Sequence, residues 1–201
     1  MGISSGTEQE FHEVLEDYKD KAAQLAQLGV DLISIGGAPP MMVHGFHGEE
    51  RIVKDLEAKH GISVSTSGRS TAEAMKALGI KKFVGVTYFP DRMNQIFSRY
   101  FTEAGFTVEA MEGIEVPFKD VGRLSGEEIY KHTKRAFLKH ADADAIYMLG
   151  SGWRLLKIVR LLEQDLQVPV IYALAAKLWQ VEQFHVREPI RGYGRLLEEL
   201  P

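Results

Sequence analysis

Two glycine turns, each directly after an apolar strand, are the segments of this chain best placed to bind a ligand. The first is Gly36-Gly37 after Leu32–Ile35, and the second is Gly150-Ser151-Gly152 after Ala145–Leu149. Ligands of α/β proteins bind at the carboxyl ends of strands, so both turns are predicted to wall a site. Backbone amides of a glycine turn at the start of a helix can hold an anion. The alternative for Gly150-Ser151-Gly152 is a tight turn with a structural role only.

The first turn offers fewer backbone donors than the second. Pro39 and Pro40 follow it, and proline has no amide hydrogen. Any donors at this turn must therefore come from Gly37 and Ala38.

Several side chains near the second turn could take part in binding or proton transfer. Ser151 offers a hydroxyl group within the turn, and Thr87 and Tyr88 offer two more from the predicted strand before it. Trp153 directly follows the turn, and it is either an apolar wall for the substrate or a packing residue.

A histidine pair in the segment after the first turn is the main source of a titratable base. His44 and His47 are three residues apart, with Glu49 and Glu50 close behind. Histidine titrates near neutral pH, so His44 in a cleft loop could transfer a proton. The same spacing could hold a metal ion, but no further ligand cluster is evident, and no metal is predicted. Solvated or packing histidines are the third interpretation.

Composition narrows the classes of function. The chain has 201 residues, a net charge of −4 and no cysteine, so disulfides and thiolate chemistry are excluded. The charges are well mixed, and no nucleic-acid partner is expected. We also expect no membrane partner and a cytoplasmic location, since the sequence has neither a 20-residue apolar run nor a signal peptide. Nucleotide-binding and serine-hydrolase motifs are absent, so no nucleotide cofactor is expected.

Helical and strand patterns alternate along the chain, which predicts an α/β fold of βαβ units. Capping boxes are predicted at Thr7, Ser70 and Ser125, and further helices at about Glu49 and Arg154. Two similar segments, each a helix, an aspartate, an apolar strand and a glycine, indicate two halves around one cleft. We expect one sub-domain from residues 1–80 plus 180–201 and a second from residues 81–179. Chance similarity between two βα units is the alternative.

The chain resembles the aspartate/glutamate racemase superfamily, and within it the arylmalonate decarboxylase and maleate isomerase branch. The resemblance rests on the order and spacing of Gly36-Gly37 with His44-Gly45, Ala77–Lys82, Thr87–Asp91 with Asn94, Gly150-Ser151-Gly152, Leu166–Val170 with Trp179, and Gly192–Leu196. It implies two pseudo-symmetric sub-domains, each with a small parallel sheet flanked by helices. It also implies a cofactor-independent site for a small carboxylate in the cleft between them.

The chain departs from the family pattern at several positions. The catalytic cysteines of the family align with Gly37 and Gly150, so cysteine-based racemisation and isomerisation are excluded. The family tyrosine aligns with Phe89, and Tyr88 could replace it only if two adjacent strand residues faced the same side. The first strand of the family fold is expected to be missing, which would expose a sheet edge and favour a homo-oligomer.

Two hypotheses follow from this resemblance. The first is a thiol-independent decarboxylase or isomerase that acts on a small mono- or dicarboxylate through an enolate-like intermediate. The second is a non-catalytic relative that binds a carboxylate or has lost its function. The candidate catalytic residues are His44, Tyr88 and Ser151. The candidate substrate-binding residues are Gly37, Ala38, Thr87, Phe89, Gly150, Gly152 and Trp153.

Overall fold

The computed structural model describes residues 3–184 and 188–199, which form an α/β fold with two parallel sheets. The strands are β1 Leu32–Ile35, β2 Ser63–Thr66, β3 Lys82–Thr87, β4 Thr107–Gly113, β5 Ala145–Met148 and β6 Val170–Tyr172. The helices are α1 Glu8–Ala26, α2 Ala38–Met42, α3 Phe46–His60, α4 Ser67–Ala77, α5 Asp91–Glu103, α6 Gly126–Leu138, α7 Leu156–Leu166, α8 Ala173–Phe184 and α9 Arg195–Glu199. A 3-10 helix covers Phe118–Arg123.

The smaller sheet pairs β1 with β2 in parallel and has a core of its own. Ile33 and Ile35 are buried while Ser34 between them is exposed, because successive strand side chains face opposite sides. The buried isoleucines pack with residues of the surrounding helices: Ala22, Met41, Val53 and Leu56. Both strands lie before residue 80, within the segment predicted as the first sub-domain.

The larger sheet has the strand order β4-β3-β5-β6, and all its pairings are parallel. Every residue of β5 is buried, as expected for a central strand covered on both faces. All four strands lie between residues 81 and 179. The predicted class, an α/β fold with small parallel sheets flanked by helices, is confirmed. Helix α8 packs against α4 and runs across the boundary predicted at residue 180.

Two of the three predicted capping boxes are confirmed, at Thr7 and Ser125. The prediction at Ser70 is wrong, because α4 begins at Ser67 and Ser70 lies within its first turns. The Ser70 hydroxyl instead donates to the carbonyl of Thr66, at 2.7 Å.

Two other predicted helix starts are also wrong. Helix α3 begins at Phe46, three residues earlier than predicted, because the Glu103 carboxylate accepts the amide hydrogen of Phe46 at 2.8 Å. Helix α7 begins at Leu156 instead of Arg154. Within the described ranges, no helix is both long enough and apolar enough to cross a membrane.

Candidate active site

The carboxyl ends of five strands, from both sheets, meet at one cavity of about 320 Å³. The residues that immediately follow these strands line it: Gly36 after β1, Ser67 after β2, Tyr88 after β3, Ala173 after β6 and, two residues beyond β5, Gly150. The structure thus brings the two predicted glycine turns together across a cleft between the sheets. Of the predicted site residues, it places the following on the cavity wall: Gly37, Ala38, Tyr88, Phe89, Gly150 and Ser151.

The first wall of the cavity is the segment Gly36–Pro40. Gly37 has φ +80°, a conformation that residues with a side chain rarely adopt, and it connects β1 directly to α2. Pro39 and Pro40 lie in the first turn of α2, where a missing amide hydrogen costs no helical hydrogen bond. This wall is therefore rigid and mostly apolar.

The second wall is the turn Gly150–Gly152, and the ring of Tyr88 packs against it. A methyl group added to Gly150 would lie 2.5 Å from the Tyr88 hydroxyl oxygen, so the phenol occupies the space of a side chain at this position. The amide of Gly152 donates to the same oxygen at 3.2 Å. The Gly152 amide is thus already bonded to Tyr88, and α7 begins only at Leu156, so these contacts do not support the predicted anion site at this turn.

Tyr88 and Phe89 both line the cavity, although adjacent strand residues were expected to face opposite sides. Strand β3 ends at Thr87, so strand alternation no longer applies, and the two rings stack with centroids 4.7 Å apart. Burial raises the pKa of the Tyr88 phenol. The phenol therefore keeps its proton at neutral pH.

Thr87 does not face the cavity, so its predicted role as a substrate ligand is not supported. Its side chain is fully buried and donates to the Asn94 side-chain oxygen at 2.7 Å. The Thr87 hydroxyl also accepts the amide hydrogen of Phe89 at 3.0 Å, and Asn94 donates to the carbonyl of Phe89 at 2.9 Å. This neutral network holds the backbone that carries Tyr88 and Phe89.

Trp153 also supports the second wall instead of lining the first cavity. Its indole nitrogen donates to the carbonyl of Gly150 at 3.0 Å, and its ring meets the Tyr88 ring edge-on. Trp153 lines a neighbouring cavity of about 580 Å³, with Arg154 and Lys157. The two cavities share Gly150, Ser151, Ala173 and Leu174.

His44 is not among the residues that line the cavity, so its predicted role in proton transfer is not supported. Its ring packs edge-on against His12 with centroids 4.7 Å apart, and its buried Nε2 has no hydrogen-bond partner in the described ranges. Burial lowers the His44 pKa, and the neighbouring His12 and Lys19 charges lower it further. His47 is exposed within α3, and the described residues contain no cluster of three metal-binding side chains.

Lys177 is the residue of the cavity that sequence reasoning missed. It lies in the second turn of α8 and is partly buried, and a methyl group added to Gly36 would lie 3.8 Å from its Nζ. Burial lowers the Lys177 pKa. Its signal in the sequence is its isolation: it is the only charged residue in Ala173–Val181, an otherwise largely apolar stretch.

A buried carboxyl group lies on the α4 side of the cleft. Glu49 is fully buried and accepts a hydrogen bond from the Tyr100 phenol, close to Gly68 in the first turn of α4. Burial raises the Glu49 pKa to about 7, against the opposing effects of Tyr100, Thr66 and Arg69. This acid lies beside Gly68, which follows Ser67 in the chain, but it does not line the cavity.

Comparison with known proteins agrees with this fold. The family model described as arylmalonate decarboxylase matches residues 1–197. The arylmalonate decarboxylase of Bordetella bronchiseptica is 21% identical over 202 residues, covering 99% of this chain and 84% of that protein. These matches confirm the resemblance inferred from the sequence.

Solved structures share the fold. A double mutant of arylmalonate decarboxylase in its liganded form is 21% identical, with a TM-score of 0.92 over 98% of this chain and 86% of that one. A mutant of the maleate cis-trans isomerase of Nocardia farcinica, with a covalently bound succinylcysteine intermediate, is 20% identical. Its TM-score is 0.86 over 98% of this chain and 83% of that one.

Proposed function

Because this chain belongs to the arylmalonate decarboxylase family of enzymes, we propose that it is a thiol-independent decarboxylase or isomerase. Its substrate is a small mono- or dicarboxylate, and the reaction passes through an enolate-like intermediate. One observation carries the proposal: a cavity between the two sheets holds a phenol and an amine, Tyr88 and Lys177, beside both glycine turns. They are the only titratable side chains among the described residues that line this cavity.

Tyr88 is the proton donor of the proposed reaction. The chain has no cysteine, and the Tyr88 phenol fills the space that a side chain at Gly150 would occupy. The phenol oxygen accepts from the Gly152 amide, and no described residue accepts the phenol hydrogen, which leaves it available to a substrate. A general acid must lie within hydrogen-bond reach of the reacting atom and be protonated at the working pH, and burial provides the second condition.

Lys177 stabilises the electron pair that the reaction develops. When carbon dioxide leaves, the electrons of the broken carbon–carbon bond pass to the adjacent activating group and form the enolate-like intermediate. The amine lies among apolar residues such as Phe11, Phe118 and Leu174, where electrostatic interactions are stronger than in water. The amino-terminal end of α8, at Ala173, adds a positive dipole on the same side. In an isomerisation, Tyr88 and Lys177 would move a proton without loss of carbon dioxide.

The test is ligand binding and turnover with a panel of malonates, maleate, phenylacetate and aspartate. A ligand at one hundred times its dissociation constant stabilises the folded state by about 2.7 kcal/mol, which a thermal melt detects. We expect one carboxylate class to raise the melting temperature and to be decarboxylated or isomerised. Tyr88→Phe keeps the melting shift and loses about 100-fold or more in turnover. Tyr130→Phe, a surface phenol paired with Asp165, is the matched control and keeps both.

A shift without turnover in the wild-type protein would favour the alternative, a non-catalytic carboxylate-binding protein. A cooperative melt that no carboxylate shifts, together with no turnover, would contradict both functions.

A further inference from the structure

We propose that Lys177 is a nucleophilic amine that forms an imine with the ketone of a 3-oxo carboxylic acid. This inference rests on the proposed function and deepens it, because it names the substrate class and the group that accepts the electrons. The observations behind it are the reach of the amine into the cleft, its lack of a partner and the character of the cavity.

The position of Lys177 gives its amine access to a bound ligand. Helix α8 begins at Ala173, directly after β6, so its first turns lie at the carboxyl ends of the larger sheet. Nζ crosses the cleft to the smaller sheet and approaches Gly36, where the missing side chain leaves space. A substrate carbonyl between the two glycine turns would therefore lie beside the amine.

Lys177 lacks the kind of carboxylate partner that several other lysines of the chain have. Lys134 and Lys139 form ion pairs with Asp165 and Glu112, at 2.8 and 2.9 Å. Lys177 has neither an ion pair nor a hydrogen bond in the part of the chain that the structure describes, and no carboxylate lines its cavity there. A structural role in an ion pair is therefore not available to explain a partly buried lysine.

The cavity favours the neutral form of the amine, which is the nucleophile. Its lining is mainly apolar, and the desolvation that lowers the Lys177 pKa acts in the same direction. The positive end of α8 also disfavours a cation in its first turns. Tyr88, the other titratable residue of the lining, is neutral at neutral pH. It therefore provides no negative charge that would stabilise the ammonium form of Lys177.

The chemistry balances without a cofactor. The neutral amine adds to the ketone carbon of the 3-oxo acid. With one proton taken from solvent, the carbonyl oxygen leaves as water and a protonated imine remains. The bond between the carboxylate and the adjacent carbon then breaks, its electron pair forms the carbon–carbon double bond of an enamine, and the imine nitrogen becomes neutral. Carbon dioxide leaves, and Tyr88 protonates the enamine carbon. Water hydrolyses the resulting protonated imine to a ketone and the free amine, and the proton released in this step returns to the Tyr88 phenolate.

The experiment is reductive trapping of the wild-type protein with acetoacetate and cyanoborohydride, followed by peptide mass spectrometry. We expect one secondary amine, on the peptide that contains Lys177, formed only when the 3-oxo acid and the reductant are both present. Carbon dioxide release is measured in parallel without the reductant. Because the trapping uses the unmodified chain, it does not depend on a variant that folds.

Variants separate the nucleophile from a simple positive charge. Lys177→Arg keeps a cation but cannot form an imine, so we expect it to lose both the adduct and decarboxylation, as Lys177→Met does. Lys131→Arg, a surface lysine paired with Glu127, is the control and keeps both. Thermal melts of all three variants establish that the fold is retained.

The outcomes distinguish this inference from the proposed function. Carbon dioxide release without an adduct, retained in Lys177→Arg, would overturn the imine while the decarboxylase stands. An adduct at Lys177 without carbon dioxide release would support the imine and contradict the decarboxylase. Neither adduct nor release would overturn the inference, and the carboxylate panel then decides the proposed function separately.

Discussion

The two glycine turns of the cleft look alike in the sequence, yet the structure uses them differently. At the second turn, the ring of Tyr88 occupies the space beside Gly150, and its hydroxyl oxygen accepts a hydrogen bond from the amide of Gly152. At the first turn, the amine of Lys177 is the only group of the described residues within 4 Å of a methyl group added to Gly36. One wall therefore presents a buried phenol, and the other presents the amine of Lys177.

The groups that support the two walls differ as well. Behind the second wall, Thr87 and Asn94 form a neutral network whose hydrogen bonds are satisfied. On the side of the first wall, Glu49 and Tyr100 form a buried pair that includes an ionisable carboxyl group. The network of Thr87 and Asn94 is insensitive to pH near neutrality. The pair of Glu49 and Tyr100 titrates there, because burial raises the pKa of the Glu49 carboxyl group to about 7. The comparison teaches that a shared fold fixes where the strand ends meet and leaves the charge of each wall free to vary.

The largest effect that would test this comparison is expected from Gly150→Ala. The new methyl group would lie 2.5 Å from the Tyr88 hydroxyl, and the residue would hold φ +110°. Overpacking and a positive φ together are expected to lower the free energy of unfolding by about 4 kcal/mol, measured by urea denaturation.

Gly105→Ala is the matched control for this substitution, because Gly105 has φ +95° and no atom of the described residues lies within 4 Å of the added methyl group. This control is expected to lower the free energy of unfolding by about 1–2 kcal/mol, from the unfavourable backbone conformation alone. Tyr88→Ala in the same chain as Gly150→Ala should recover the packing part of the loss, giving a coupling energy between the two sites. Equal losses at Gly150 and Gly105 would contradict a phenol packed on the turn.

The next effect concerns the pH dependence of stability on the side of the first wall. The folded-state pKa of Glu49, about 7, lies above its ordinary value of 4.5, so the folded state binds more protons between these values. The free energy of unfolding should therefore be highest below pH 4.5 with respect to this group and fall as pH rises through about 7. The fall is on the order of 3 kcal/mol, since one pKa unit is worth about 1.4 kcal/mol.

Glu49→Gln should remove this part of the pH dependence, as measured by urea denaturation across pH 4 to 9. Glu50→Gln is the control, because Glu50 is a neighbouring, solvent-accessible carboxylate that pairs with Lys54 at 3.0 Å. Its variant should keep the slope of the wild-type protein. An unchanged slope in Glu49→Gln would show that Glu49 is ionised in the folded protein throughout this range.

The sequence predicted the position of the cleft better than it predicted which side chains line it. Apolar strands that end in glycine predicted the meeting of the two turns, because parallel strands present their carboxyl ends at one edge. The position of Tyr88 depends on where β3 ends, and the alternation rule failed one residue beyond Thr87.

Lys177 and His44 show the limit of sequence reasoning about single side chains. Lys177 belongs to a helix and reaches the cleft only because α8 starts directly at the end of β6 and crosses toward Gly36. His44 follows the first turn in sequence, but α2 separates it from the cavity and places its ring against His12. In both cases, distance along the chain was a poor guide to which side chain reaches the cavity, because the packing of the helices determines it.

The smallest effect sharpens the comparison at the first wall. Gly37→Ala adds a methyl group 3.0 Å from the Tyr18 hydroxyl, the far end of a side chain that can move, at a residue with φ +80°. We expect the free energy of unfolding to fall by about 1–2 kcal/mol, mostly from the backbone conformation. Tyr18→Phe removes the hydroxyl and should recover a few tenths of a kcal/mol at most, whereas removal of the Tyr88 ring should recover most of the packing loss at Gly150. A loss at Gly37 as large as that at Gly150 would mean that the first wall is filled as tightly as the second, and the space proposed for a carbonyl beside Lys177 would not exist.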